Sequence, residues 1–393
     1  MALVRSLALS QGGGIISYNQ QAKQEENIVN IFIGLGGTGV DCLREIKTQV
    51  YNRIEPDLIT NDGKVVYEHI RFLGVDRDIM SFHSIGDEDS RCNCLPLFES
   101  EMFALAGSGI TLKNVKRASD VFTQYAWLSD HIDQIGLDDY EPSGLRQEGR
   151  FLIMANADKF MARVQNVIAD SKRGLCNPRV VIHIISGLGG ATGSGIFLDV
   201  CYMLREILKA ECNTGMCGYF FIPDVNVSHV RIERVKKYIR VNGYAAMQEL
   251  DYCMNIEKNH GKFRQEYTGG KLIDWDCAPV DYCHLISAID NNGNVRQDAY
   301  NYVMKVMSEY ALEFIKKSVT GVNVFSFLHS LSAIAFEKEE HKSFGYNVKY
   351  LTIGASSAIV PLKEINTYLA TRLFDRFSEV GKDIPDESDV WNF

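Results

Sequence analysis

Long apolar runs are missing from this chain. No segment reaches the roughly 18 apolar residues that suggest a membrane-spanning helix, and the N-terminal stretch MALVRSLALSQGGG is too short in apolar residues for a signal peptide. Proline is also scarce, with eight residues in 393, which argues against long disordered or polyproline segments. With 46% hydrophobic and 23% charged residues, the composition is typical of a soluble globular protein, and we expect a cytoplasmic one.

Cysteine pairs of the C-x-x-C type do not occur in the sequence either. The ten cysteines are scattered, and several lie in apolar runs, where a reduced thiol behaves as a small core hydrophobe. The lone C-x-C pair, Cys92 and Cys94, lacks the second ligand pair that a structural zinc site requires. We therefore expect free thiols in a reducing compartment and no structural zinc.

An excess of positive charge is also missing. The net charge of -9 disfavours nucleic acid or an anionic membrane surface as a direct partner. At 393 residues the chain exceeds the size at which a single hydrophobic core usually stops growing, so two domains are expected.

Five near-continuous apolar segments alternate with helical patterns after residue 27. They are IVNIFI (28–33), HIRFLGV (69–75), RVVIHII (179–185), GYFFI (218–222) and CHLISAI (283–289). Apolar strands separated by helices are typical of a parallel sheet that is covered on both faces. The pattern predicts an α/β fold with a parallel sheet, preceded by an N-terminal extension over residues 1–27.

A long central helix is predicted over residues 296–318. Apolar residues follow helical spacing on one face and also occupy other faces, namely Tyr300, Val303, Met304, Met307, Ala311 and Phe314, then Val306, Tyr310 and Leu312. We expect this helix to be buried between a first domain at 28–295 and a smaller α/β domain at 319–393.

A first glycine loop, GLGGTG, joins the first predicted strand to a helix. It contains Gly34, Gly36, Gly37, Thr38 and Gly39. Glycines let the backbone approach a phosphate, and the following helix offers unpaired N–H donors at its start. A dinucleotide fingerprint and a turn without a ligand remain alternatives. A dinucleotide site, however, requires an acidic residue about 20 positions after the loop, and the nearest candidate, Asp76, lies roughly twice as far away.

A second glycine loop lies between RVVIHII and the helical segment IFLDVCYMLREIL. Its residues are Gly187, Gly189, Gly190, Ala191, Thr192, Gly193, Ser194 and Gly195, and five glycines in nine residues exceed what a tight turn requires. We expect side chains at Gly189 or Gly190 to crowd a phosphate, and the hydroxyls of Thr192 and Ser194 to donate to its oxygens. A bulky residue at Gly190 or Gly193 is expected to abolish nucleotide binding and to leave the fold largely intact.

The second loop closely resembles the GGGTGSG or GGGTGTG signature of the tubulin and FtsZ superfamily, with Leu188 and Ala191 as mild departures. Through RQEGRFLIMAN, NGYAAMQELD and SFGYNVKYLTIGASSAIVPL, the chain is similar to the bacterial tubulin-like proteins. The resemblance implies a tubulin/FtsZ-type nucleotide-binding domain that binds GTP or GDP with Mg²⁺. It further implies head-to-tail self-assembly into filaments with GTP at the subunit contact, and it is compatible with adaptor proteins as additional partners.

The resemblance also assigns the other parts of a nucleotide site, in the order of the chain. The matching residues are Asp76 and Asp78 for the metal, Gly144 and Arg146 for the γ-phosphate, Asp224 and Asn226 for the ribose, and Asn291, Tyr300 and Asn301 for the base.

The chain departs from the superfamily at the catalytic loop that follows the central helix. Phe325 and Leu328 lie where acids that orient water are expected, and neither side chain can accept a proton. Either GTP hydrolysis is slow, or Glu337 or Glu340 supplies the acid, or the catalytic loop lies elsewhere in the sequence. The alternative interpretation of the segment FEKEE, which contains both glutamates, is a solvated turn. A non-polymerising GTP-binding switch or scaffold and a dinucleotide-dependent oxidoreductase remain the alternative functions.

Two further features are interpreted as structural. His183 lies in an apolar strand and is expected to be a core histidine with satisfied hydrogen bonds. The segment 259–279 is expected to be an elaborated surface loop.

Overall fold

The structure is a computed structural model. It describes residues 28–59, 65–77, 79–83, 94–105, 145–228, 230–267, 269–289, 292–296, 298–315, 350–353 and 362–380. The predicted domain boundary at 319 therefore lies outside the described residues.

Within these residues, eleven strands are present: β1 Ile28–Leu35, β2 Leu58–Ile59, β3 Val65–Val66, β4 Ile70–Asp76, β5 Met102–Ala104, β6 Arg179–Gly187, β7 Thr214–Phe221, β8 Phe263–Tyr267, β9 Lys271–Trp275, β10 Tyr282–Ile286 and β11 Tyr350–Leu351. Seven of them form one sheet in the order β11-β10-β7-β6-β1-β4-β5, and all neighbouring strands in it are parallel. Two antiparallel pairs, β2 with β3 and β8 with β9, lie outside this sheet. The predicted parallel α/β fold is confirmed.

The helices of the described residues are α1 Gly36–Arg53, α2 Arg146–Ala155, α3 Ala157–Ser171, α4 Thr192–Leu208, α5 Pro223–Val227, α6 Glu233–Met254, α7 Ala299–Ile315 and α8 Leu362–Val380. Short 3-10 turns occur at Ile79–Phe82 and Glu99–Glu101. Among the described residues, no helix is both long and apolar enough to span a membrane.

The central strands are buried on both faces. Every residue of β1 after Ile28 is buried, as is every residue of β6 after Arg179, and two clusters of apolar side chains lie on opposite sides of the sheet. Because parallel strands end at the same edge of a sheet, the segments that follow β1, β4, β6, β7 and β10 are neighbours. That edge carries the predicted site.

His183 lies in the core as expected. It is fully buried, its Nδ1 is 3.1 Å from the Tyr219 hydroxyl, and its Nε2 is 3.0 Å from Asn30 Oδ1. Burial, with a smaller effect of His284, lowers the pKa of His183 to about 3, so the ring is neutral at physiological pH.

The interpretation of residues 259–279 as a surface loop is wrong, because most of this segment is the β8–β9 hairpin. Phe263 stacks on Tyr202 of α4 with ring centroids 3.9 Å apart. The Tyr267 hydroxyl donates a 2.7 Å hydrogen bond to Asp199 Oδ1, also on α4. The hairpin therefore packs against the helix that follows the second glycine loop.

The chain divides into two compact units, Met1–Ile353 and Gly354–Phe393. The first contains the sheet and helices α1 to α7. The central helix is α7, on which Tyr300, Val303, Met304, Met307 and Ala311 are buried as the spacing predicts. The second contains α8, on which Tyr368, Leu369, Leu373 and Phe374 are exposed.

Candidate functional site

The two glycine loops meet through their backbones. Gly36 begins α1 directly after β1 with a φ of 67°, a left-handed conformation that favours glycine. A Cβ on Gly36 would lie 2.5 Å from the backbone nitrogen of Gly193, and a Cβ on Gly193 would lie 2.5 Å from the carbonyl oxygen of Leu35. Neither position therefore tolerates a side chain without a backbone shift. The expectation that a bulky residue at Gly193 leaves the fold largely intact is wrong.

Other glycines of the loops are also required by packing within the protein. A Cβ on Gly34 would lie 2.4 Å from the carbonyl oxygen of Gly39, and one on Gly39 would lie 2.4 Å from that of Ile185. A Cβ on Gly187 would lie 3.0 Å from Thr38, and one on Gly189 would lie 2.6 Å from Ile239 Cγ2. The side chain of Ile239 is therefore sufficient to explain a glycine at 189, without a phosphate.

Gly37 and Gly190 differ from these glycines. The nearest atom to a Cβ on Gly37 would be Asp76 Oδ2 at 3.9 Å, and no atom would lie within 4 Å of a Cβ on Gly190. Neither residue has a positive φ, so the backbone does not demand glycine at either position. Each loop thus contains one glycine whose missing side chain leaves space that the described residues do not fill.

The helices that follow both loops begin without a side-chain cap from their N-cap residues, Leu35 and Ala191. Neither α1 nor α4 carries an acidic residue in its first turn. Of the other helices, α2, α3, α5 and α6 carry an acid there, whereas α7 does not. Unpaired N–H groups at a positive helix end are suited to bind a phosphate.

Arg146, predicted to sense the γ-phosphate, contacts the second glycine loop from α2. Its Nε donates a 2.7 Å hydrogen bond to the Ser194 hydroxyl, and its Nη2 donates a 3.0 Å bond to the Ser194 carbonyl. Its Nη1 donates a 2.8 Å bond to Glu249 Oε1 of α6. Ser194 is fully buried, so both side chains are engaged with the protein.

A second ion pair also starts from the first turn of α2. Arg77 Nη1 lies 2.6 Å from Glu148 Oε1. Arg77 directly follows Asp76, whose Oδ1 accepts a 2.7 Å bond from the Arg77 N–H. Arg77, Glu148 and Glu249 were not predicted from the sequence, because no local pattern indicates a pairing between distant segments.

Asp76 lies at the end of β4, beside the first loop, and is buried. A carboxylate here has the chemistry that Mg²⁺ prefers, directly or through water. Within the described ranges, no group of three or more acidic, histidine or cysteine side chains is arranged to hold a metal ion. Asp78 lies outside the described residues, so the predicted pair of metal carboxylates stays a prediction.

The predicted ribose residues connect the first loop to the segment after β10. Asn226 Nδ2 donates a 2.7 Å bond to the Thr38 hydroxyl. Asp224 Oδ2 accepts bonds from the Ser287 hydroxyl at 2.7 Å and from the Ala288 N–H at 2.9 Å. The structure therefore brings Thr38, Asp224 and Asn226 to the same edge of the sheet.

Unpartnered polar atoms are concentrated at this edge. Of the four buried side-chain oxygen or nitrogen atoms that lack a partner among the described residues, three are Ser186 Oγ, Asp224 Oδ1 and Asn226 Oδ1. A buried polar atom without a partner costs about 1–3 kcal/mol. The residues present thus fit a ligand that supplies hydroxyl groups, as a ribose does.

The predicted base contacts are engaged elsewhere. The Tyr300 hydroxyl donates a 2.6 Å bond to Asp41 Oδ2 of α1, and Tyr300 is buried. Asn301 Nδ2 donates a 2.9 Å bond to Asp298 Oδ1 in the same turn. Four further predicted nucleotide or catalytic positions lie outside the described residues, namely Gly144, Asn291, Glu337 and Glu340, and so do the substituted loop positions Phe325 and Leu328.

Solved structures of several tubulin-superfamily proteins align with part of this chain. CetZ from Methanosaeta thermophila is 11% identical with a TM-score of 0.39, and the match covers 73% of this chain and 54% of CetZ. CetZ2 from Haloferax volcanii, in a GTPγS-bound protofilament, is 11% identical with a TM-score of 0.38 and coverages of 72% and 57%. An empty FtsZ dimer from M. jannaschii is 14% identical with a TM-score of 0.36 and coverages of 75% and 57%. The matched part of this chain thus spans little more than half of each of these proteins.

A comparison with curated proteins finds no match. The family model described as tubulin-like matches residues 31–379. This range includes both glycine loops, the acidic end of β4 and the central helix, and it extends over most of the chain. The protein therefore belongs to the tubulin-like family.

Proposed function

We propose that this protein binds GTP with Mg²⁺ at the carboxyl edge of its sheet and assembles head to tail into filaments. The observation that carries the proposal is the pair Gly37 and Gly190. Packing within the protein accounts for the other loop glycines, but these two leave open space beside uncapped helix starts. A triphosphate fits this arrangement, because its oxygens accept hydrogen bonds from backbone N–H groups and its charge is favoured by the helix dipoles.

Different groups of the protein bind the phosphates, the ribose and the metal ion. The starts of α1 and α4 hold the phosphates, and the Thr38 and Thr192 hydroxyls contribute further donors. Asp224 and Asn226, each with an unpartnered side-chain oxygen, accept hydrogen bonds from the ribose hydroxyls. Asp76, with Asp78, holds Mg²⁺, which supplies positive charge for the phosphate oxygens when bound.

Self-assembly is proposed from family membership together with the position of the site. The site opens at one edge of the sheet, so a second copy that contacts this edge covers the nucleotide. Such a contact uses two different surfaces of the protein and repeats as a filament unless its rotation closes a ring. Glu337 or Glu340 of the covering copy is the proposed source of a water-orienting acid, and without it hydrolysis is slow.

The nucleotide that co-purifies with the protein tests binding directly. We expect GTP or GDP after chromatography of the denatured protein, and loss of that nucleotide in Gly190→Val with an unchanged circular dichroism spectrum. A flavin or nicotinamide in its place would establish the oxidoreductase alternative.

Sedimentation tests assembly, and we expect the protein to sediment with GTP and not with GDP. Tight GTP binding without sedimentable material would favour the switch or scaffold.

A further inference from the structure

A cavity of about 420 Å³ lies beside the proposed ribose site. It is lined by Pro223, Asp224, Val227 and Ser228 at α5, by Lys236 and Arg240 on α6, and by Val295. Small-molecule pockets typically occupy about 300–1,000 Å³, so the cavity has the size of a small ligand or part of one. A wider groove of about 710 Å³, beside β5 and α3, is lined by none of the predicted site residues.

The cavity walls are suited to a flat ring with a polar edge. Pro223, Val227 and Val295 offer apolar surface, and Asp224 lines the cavity from the proposed ribose side. None of the glycine-loop residues takes part in the lining. A nucleotide whose phosphates lie on the glycine loops and whose ribose contacts Asp224 would therefore place its base here.

Two cationic side chains supply the polar wall. Lys236 and Arg240 are four residues apart on α6, so they project from the same face of the helix. Lys236 Nζ lies 2.7 Å from Glu233 Oε1, but an ammonium has three N–H donors, so this pair uses only one of them. Arg240 has five N–H donors, and neither side chain can accept a hydrogen bond.

We propose that Lys236 and Arg240 select guanine over adenine by donating hydrogen bonds to the O6 and N7 atoms of the base. This inference rests on the proposed function. Guanine presents two acceptors on that edge, whereas adenine presents the N7 acceptor and an amino donor at position 6. Donors opposite the adenine amino group would remain unpaired, and one good bidentate contact of this type discriminates by roughly 10- to 100-fold.

The test is a titration of the full chain with GTP, ITP, ATP and the triphosphate of 2-aminopurine riboside. ITP retains O6 and N7, whereas the 2-aminopurine nucleotide lacks O6. Wild type is expected to bind GTP and ITP more tightly than the other two. Lys236→Met and Arg240→Met are each expected to weaken the binding of GTP and ITP by about tenfold or more. The variant that loses the O6 donor should leave ATP binding unchanged, whereas the one that loses the N7 donor should weaken ATP binding as well, because adenine also presents N7.

Lys237→Met is the matched control, because Lys237 is the exposed neighbour on α6 and does not line the cavity. It is expected to bind all four nucleotides as wild type does, and circular dichroism checks that each variant is folded. Equal losses for GTP and ATP in both the Lys236 and the Arg240 variant, or no loss, would overturn the base assignment and leave the proposed function standing. A wild-type protein that binds none of the four nucleotides would overturn both.

Discussion

The backbone nitrogen of Gly193 lies 2.5 Å from the position that a Cβ on Gly36 would occupy. Gly36 opens the helix after β1, and Gly193 is in the first turn of the helix after β6, so this contact joins two loops that are more than 150 residues apart in the chain. The relative position of the two helix starts is therefore fixed by the backbone itself. Any ligand held by both loops binds to a preformed arrangement.

Gly36→Ala is expected to destabilise the protein strongly. The positive φ costs about 1–2 kcal/mol for an L-residue, and the overlap with Gly193 adds about 1–3 kcal/mol. Gly174→Ala is the control, because Gly174 also has a positive φ but no atom would lie within 4 Å of its Cβ. Urea unfolding of both variants separates the overlap from the backbone strain. Equal losses of unfolding free energy in the two variants would show that the overlap with Gly193 adds nothing to the destabilisation.

Gly37→Ala and Gly190→Val are expected to act on the ligand and not on the fold. Neither new side chain meets protein atoms closer than 3.9 Å at its Cβ, so stability should change by less than about 1 kcal/mol. The affinity for GTP should fall by more than tenfold, because the added groups occupy the proposed phosphate space. Melting temperature and labelled-GTP titration are measured on the same samples. Unchanged affinity in both variants would exclude phosphates from this space.

Sequence patterns were sufficient for the central strands and both glycine loops. The β5 and β11 strands have three and two residues, too few for any periodicity, and were not predicted. The β8–β9 hairpin did carry a signal, since Phe263, Gln265 and Tyr267 alternate with exposed residues before the turn at Gly269 and Gly270. That signal was missed because the segment was interpreted as an insertion.

The contacts of the site residues could not be predicted from the sequence, because they join segments that are far apart in the chain. Arg146 pairs with Glu249, 103 residues away, and Tyr300 bonds Asp41 across 259 residues. Glycine density predicted a phosphate loop, but it did not distinguish Gly190, which has open space around it, from Gly193, which contacts backbone. That distinction requires the position of every neighbouring atom.

Arg146→Lys is expected to weaken GTP and GDP binding equally, by on the order of tenfold. Lysine keeps the charge but loses the geometry that lets Arg146 bond both Ser194 and Glu249 at once. Glu249→Gln should shift both affinities in the same direction by a smaller factor. A loss confined to GTP would instead show direct contact between Arg146 and the γ-phosphate.

Acid is expected to destabilise the protein through its buried histidines. The pKa of His183 is lowered by burial to about 3, whereas an unfolded histidine titrates near 6.5. The unfolded chain therefore binds a proton that the folded chain excludes between these values. The contribution of His183 to stability is complete above about pH 6.5 and falls as the pH decreases towards 3. The same direction holds for His284, whose pKa burial lowers to about 4.

Urea unfolding at pH 7.5 and pH 5.5 measures this effect. Between these two pH values, the free energy of unfolding of His183→Gln should fall by about 1 kcal/mol less than that of wild type, because glutamine does not titrate. His83→Gln, at an exposed position, is the control and should follow wild type. A wild-type pH dependence in His183→Gln would show that other groups account for the acid sensitivity.

Turnover distinguishes a site shared between subunits from a self-contained one. If Phe325 and Leu328 replace the water-orienting acids, polymer formed with GTP should persist and release phosphate slowly, since acid–base help of this kind typically contributes ~10²–10⁴-fold. If Glu337 or Glu340 replaces those acids, phosphate release per subunit should rise with protein concentration, and Glu337→Ala or Glu340→Ala should abolish that rise. Phosphate release is measured across a concentration series in wild type and both variants. Brisk release that does not depend on concentration would exclude both forms of the shared site, because a single subunit would then contain the complete hydrolytic machinery.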